Sequence, residues 1–103
     1  MSATFAFGLM LLPEAGASAG DLADAKCIAA MTFLGERADA KAKPEMHAAM
    51  LFFVGKIVGR SGSASVAPAL QAVVEQMKGA GAEGMAATAE QCAPQISDAA
   101  KGL

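Results

Sequence analysis

The chain has no tryptophan and no tyrosine, a single histidine (His47) and only two cysteines, Cys27 and Cys92. Charged residues make up 17% of its 103 residues and the formal net charge is −2. These shortages exclude several functions. Without a basic excess, the charge that drives binding to nucleic acid is missing, so no nucleic-acid partner is expected. No run of like charges offers a tail for partners or membrane surfaces. The cysteines form neither C-x-x-C nor C-x-x-C-H, which argues against thioredoxin-like exchange and against covalent haem. Two cysteines and one histidine fall short of a four-ligand zinc site unless a carboxylate completes it. The Walker pattern is absent, as is a strand before Gly55-Lys56 or Gly59-Arg60-Ser61-Gly62. No cofactor is expected.

What remains is apolar and helix-prone. Apolar residues reach 54% of the chain, Ala is abundant, and β-branched residues are few, which favours helix over strand. The first twenty residues stand apart. Ala3 to Leu12 is an apolar run broken only by Thr4 and Gly8, ended by Pro13 and followed by small residues up to Ala17-Ser18-Ala19. This reads as a leader with an A-x-A cleavage signature. It is too short to span a bilayer, which takes about 20 apolar residues. No Lys or Arg precedes the run, so either translation starts further upstream or the basic region is unusually weak. The alternative is an apolar N-terminal helix that stays and packs on the core. The expected division is a cleaved signal peptide over 1–19 and one helical domain over 20–103, with no stable membrane insertion of the mature chain. Glu14 leaves with the leader, so the mature chain keeps eight basic and nine acidic residues. A domain this short buries a modest core, and small exported domains often compensate with a disulfide.

Four helical segments follow. Asp21 is a candidate N-cap, and Cys27, Met31 and Leu34 form one stripe that Gly35 ends. Glu36 to Lys43 is a polar, Ala-rich connector that frays or extends the first helix. Pro44 suits the first position of a second helix, which runs to about Arg60. Its centre, Met50-Leu51-Phe52-Phe53-Val54, is apolar all round, and such a helix is expected to be the most buried. Gly55 and Gly59 lie four apart, which allows another helix to approach closely. Ser61 to Ser65 reads as a loop, with Ser65 as the cap of a third helix carrying Val66, Leu70, Val73, Val74 and Met77. After Gly79, Gly81 and Gly84, the last segment repeats Met85, Ala89, Cys92, Ile96, Ala99 and Leu103, a seam for a partner helix. Pro94 inside it predicts a kink or a restart.

Cys27 and Cys92 each sit on the apolar stripe of their own helix, one in the first and one in the last. In an oxidising compartment they are expected to pair and tie the ends of the bundle together. The fold class is therefore all-α, a compact bundle of four helices cross-linked by one disulfide. In a reducing compartment they would be buried free thiols.

Candidate sites are few. Met46, His47 and Met50 are the one cluster of metal-type donors, and thioether with imidazole suits Cu(I). The bland alternative is that both methionines fill the core and His47 lies at the surface. His47 has no Ser, Cys or carboxylate partner at a useful spacing, since Glu45 is two residues away and points elsewhere on the helix. No catalytic residue and no enzyme is expected. Arg60 and the loop amides form a candidate anion site, against the simpler reading that Lys56 and Arg60 oppose the helix dipole. The Met, Phe and Leu side chains of the second helix either line a groove for an apolar ligand or protein or form the core.

At Ala25-Lys26-Cys27, Phe52-Phe53-Val54-Gly55-Lys56-Ile57-Val58-Gly59-Arg60 and Glu90-Gln91-Cys92, the chain resembles a family of small exported two-cysteine helical proteins of sphingomonad-type alphaproteobacteria. The resemblance covers most of the mature chain. It implies export, helices and the cysteine pair, and it assigns no chemistry. Pro94 departs from the uninterrupted last helix expected in that family. A fainter resemblance, of architecture alone, is to the periplasmic acid-stress chaperones, whose high charge density this chain lacks. The expected product is a periplasmic or secreted, non-catalytic module whose partner is a protein or a small apolar ligand. The alternatives are an acid-stress holdase-type chaperone and a Cu(I)-binding protein.

Overall fold

The computed structural model describes residues 17–102. The expected leader, as far as residue 16, and Leu103 of the last seam lie outside the described residues. Four helices follow one another: α1 (Ala19–Arg37), α2 (Lys43–Ser61), α3 (Val66–Met77) and α4 (Gly81–Lys101), with a 3-10 turn at Ser63–Ser65 before α3. The expected all-α bundle is what the chain forms.

The caps explain where the helices begin and end. Ser18, in extended conformation, caps α1, and its hydroxyl accepts the Asp21 N–H at 3.1 Å. Asp21 was the expected cap, but it sits one turn inside, because Ser18 already supplies the acceptor. Gly35 does not end α1. The helix runs on to Arg37, whose guanidinium donates to the Phe33 carbonyl and lies over the Phe33 ring, 3.6 Å from its centroid. Gly35 instead faces α2: a Cβ there would lie 3.4 Å from Met46 Cβ. In the connector, one Asp39 carboxylate oxygen accepts the N–H groups of Lys41 and Ala42, closing a turn that delivers Pro44 to the start of α2. α2 ends at Gly62, whose φ of 91° suits glycine. Ser65 does not cap α3; its hydroxyl donates back to the Ser61 carbonyl at 3.0 Å.

α1 is the shared neighbour of the bundle. α2, α3 and α4 all pack on it, while they touch one another far less. A cleft of about 750 Å³, bordered by Ala48, Phe52, Ala93 and Ile96, separates α2 from α4. Half of the buried side chains come from α1: Ala25, Cys27, Ile28, Ala30 and Met31, along with Asp21 and Asp24. Against them lie Phe53 and Ile57 from α2, Ala69, Val73 and Met77 from α3, and Ala89 and Cys92 from α4. Burying a side chain such as Phe53, Ile57 or Val73 contributes about 1.5–3 kcal/mol.

This arrangement corrects two expectations for α2. It is not the most buried helix, because it packs mainly on one neighbour; Leu51 is 52% and Val58 40% exposed. Nor do Gly55 and Gly59 mark a close approach, since a Cβ at either would meet nothing within 4 Å. The helix contacted on three sides is α1, where Ala25 and Ala30 let its neighbours come near. α4 runs through Pro94 without restarting. Pro94 and Glu90 are both exposed, so water can take the carbonyl that proline leaves unbonded.

Cys27 of α1 and Cys92 of α4 are joined, with Cα atoms 5.8 Å apart and a sequence separation of 65. No helix of the described residues is long and apolar enough to cross a membrane.

Candidate functional site

Arg60 was a candidate for binding an external anion. Its guanidinium is instead taken by the chain's own carboxylates. Nη1 lies 2.7 Å from Asp21 Oδ1 and Nη2 lies 2.9 Å from Asp24 Oδ2. Lys56, one turn earlier in α2, places Nζ 3.1 Å from Asp24 Oδ1 and donates to Gln95 Oε1 of α4 at 2.7 Å. Asp21 and Asp24 are 2% and 3% exposed, so two buried negative charges are balanced by two cations that reach in from half-exposed positions. The Ser61 hydroxyl, the Arg60 guanidinium and the Ser18 hydroxyl hold the Asp21 carboxyl below its usual range, against burial, which raises it. The two carboxylates raise the Arg60 guanidinium in turn. Gly20 makes room for the clamp: a Cβ there would come within 3.0 Å of Arg60 Cζ.

The clamp was missed from the sequence, although a signal was present. Asp21 and Asp24 extend the buried stripe of α1 toward its N-terminus, at i and i+3. Lys56 and Arg60 extend the Phe53 and Ile57 stripe of α2. Opposite charges prolonging two apolar stripes match when the helices pack antiparallel.

Met46, His47 and Met50 come together as the spacing implied, and Met31 of α1, which sequence spacing had not joined to them, completes the group. All four line a hollow of about 280 Å³ between α1 and α2, with Glu36 and Lys43 at its border. Met31 is buried, Met46 and Met50 are half-buried, and His47 is exposed. The Thr32 hydroxyl lies 2.8 Å from the Ile28 carbonyl and 3.0 Å from Met50 Sδ; its one proton goes to only one of these acceptors at a time.

A larger apolar groove of about 710 Å³ lies where α1, α2 and α3 meet the start of α4. Its walls include Ile28 and Phe33 from α1, Val54 from α2, Leu70, Val74 and Met77 from α3, and Met85 from α4. Val74 is 49% exposed, so part of the most clearly amphipathic helix is left uncovered. A fourth hollow, of about 440 Å³, lies over the disulfide and is bordered by Lys26, Thr88, Gln91 and Gln95.

No protein-family model matches the chain, and no curated protein and no solved structure matches it either.

Proposed function

We propose that the chain is an exported, periplasmic or secreted, non-catalytic binding module that takes a small apolar molecule into the groove between α1, α2 and α3. The observation that carries the reading is the groove itself. Its volume lies in the range of small-molecule sites, and its walls are mainly aliphatic, aromatic and thioether groups drawn from all four helices, with Thr32, Glu36 and Lys78 also on the lining. Met50, Met77 and Met85 give it adaptable walls. The leader-like N-terminus and a disulfide fit an oxidising compartment.

The test is titration with a medium-chain fatty acid, read by native mass spectrometry. One acyl chain per protein is expected. Val74→Glu places a charge at a half-exposed wall position and should abolish binding while leaving the helical circular dichroism unchanged. Equal binding by the variant, or none by the parent, overturns the reading. Photo-crosslinking from position 74 to a protein would instead identify a macromolecular partner.

The acid-stress holdase reading has one observation in its favour, the clamp of Arg60 on Asp21 and Asp24, which protonation weakens. It requires that acid exposes apolar surface, read as dye fluorescence, and that the acid form suppresses aggregation of a client protein.

A further inference from the structure

The geometry points to a Cu(I) site in the hollow between α1 and α2, formed by the thioethers of Met31, Met46 and Met50 and the imidazole of His47. Four side chains that share one chemical character line one small space. Three come from a single turn of α2. Met46 and Met50, at i and i+4, stack on one face, and His47 is three residues from Met50. The fourth comes from α1, so the donor set spans two helices that the fold holds together independently. Gly35 faces Met46 across the helix pair: a Cβ added there would lie 3.4 Å from Met46 Cβ. The Thr32 hydroxyl of α1 lies 3.0 Å from Met50 Sδ, and its proton can go to the Ile28 carbonyl instead, which leaves the sulfur lone pairs free.

The donor chemistry selects the ion. Thioethers and a neutral imidazole are soft, uncharged ligands, which suit monovalent copper and serve calcium, magnesium or manganese poorly. Glu36 and Lys43 at the border offset each other's charge. Among the described residues, no group of three or more His, Cys, Asp or Glu is arranged to hold a metal, so a harder divalent ion has no comparable donor set. The two cysteines are joined to each other, and no thiolate competes for the ion. If the methionines served packing alone, His47, which is exposed, would have no part in it.

The test uses the oxidised protein, titrated without oxygen with Cu(I) held reduced by ascorbate against a chromophoric Cu(I) chelator. Ascorbate leaves the disulfide closed. Ag(I), which needs no reductant, gives the stoichiometry by native mass spectrometry. One ion per chain is expected, with sulfur and nitrogen neighbours in the X-ray absorption spectrum. Met46→Leu, Met50→Leu and His47→Gln each weaken binding by more than the roughly tenfold typical of losing an outer-shell contact. Met→Leu nearly conserves volume, so these variants keep the fold, and Met31→Leu extends the series to α1. Met50 borders both spaces, but Val74 borders only the groove, so Val74→Glu, which removes the apolar guest, leaves copper binding unchanged and separates the two ligands. Failure to compete with the chelator overturns the proposal. So does full binding by the Met46→Leu/Met50→Leu double variant, or binding that appears only after the disulfide is reduced.

Discussion

Arg60 Nη1 lies 2.7 Å from Asp21 Oδ1, across 39 residues of sequence, and the carboxylate it meets is 2% exposed. The same guanidinium reaches Asp24 with its other terminal nitrogen. The end of α2 is thereby fastened to the start of α1 by a planar, two-pronged contact that lysine cannot reproduce. Replacing Arg60 with methionine keeps most of the apolar stem and leaves Asp21 without its cation. We expect a fall in melting temperature on the order of 10 °C, with Arg60→Lys recovering only part of it. Calorimetry of the two variants beside the parent checks this.

The same contact sets a pH dependence. The folded Asp21 carboxyl is held below its ordinary value of 3.8, so it takes up its proton at lower pH than the unfolded chain does. The stability it contributes is complete above that value and is lost as pH falls through it toward the folded pKa. Urea midpoints measured from neutral pH downward should therefore drop in the acid range. Asp21→Asn, which has no proton to gain there, should show a shallower fall. An equal slope in parent and variant would place the acid sensitivity elsewhere.

The bond between Cys27 and Cys92 closes a long loop, with a sequence separation of 65. In the chain-entropy treatment a loop of this length stabilises the fold by roughly 4 kcal/mol, a large share of the total for a small domain. Reduction, or Cys27→Ser with Cys92→Ser, should lower the urea midpoint without changing the native helix content in the absence of denaturant. Complete loss of helical signal on reduction would mean that the remaining core cannot hold the bundle.

Gly55 and Gly59 lie in the interior of α2, and a side chain at either meets open space. Alanine at each position should stabilise the protein by about 0.5–1 kcal/mol through backbone entropy. Gly20→Ala should not, because its methyl group pushes against the Arg60 guanidinium pinned by two carboxylates. Chemical denaturation of the three single variants tests the contrast, and a gain at Gly20 would show that the clamp is free to shift.

The helix start bears on leader removal. Cleavage after Ala19 would cut away Ser18, the residue whose hydroxyl caps α1. Cleavage after Ala17, which completes an equally good A-x-A with Ala15, leaves Ser18 in place. A chain beginning at Ser18 should be more stable than one beginning at Gly20 by about 1 kcal/mol. Terminal sequencing of the protein isolated from cells that make it shows whether either form is made, and denaturation of both forms gives the difference.

Much of the architecture can be read from local pattern. The spacing of Val73 and Met77, and of Ala89 and Cys92, picks out buried faces of α3 and α4, and Pro44 marks the start of α2. The cysteines announce themselves because each falls on an apolar stripe. The hub does not. The run from Met50 to Val54 suggests a central helix by composition alone, yet burial depends on how many neighbours a helix has, and that is a property of the assembled bundle. Alanine at positions 25 and 30 is a quieter signal than a phenylalanine pair, but it is the feature that lets three helices converge. Met31 was missed as a companion of Met46 and Met50 for a similar reason: it lies on another helix, and spacing within one helix cannot report a contact between two.

Because α1 is the common neighbour, the order in which the chain emerges matters. The first helix made carries the two buried acids, one half of the disulfide and much of the interior, and none of these has a counterpart until later segments arrive. Arg60 comes after most of α2, and Cys92 after most of the chain. A polypeptide growing or threading from its N-terminus therefore holds an unfinished seed for most of its synthesis. Any truncation within α4 ahead of Cys92 leaves Cys27 as an unpaired sulfhydryl.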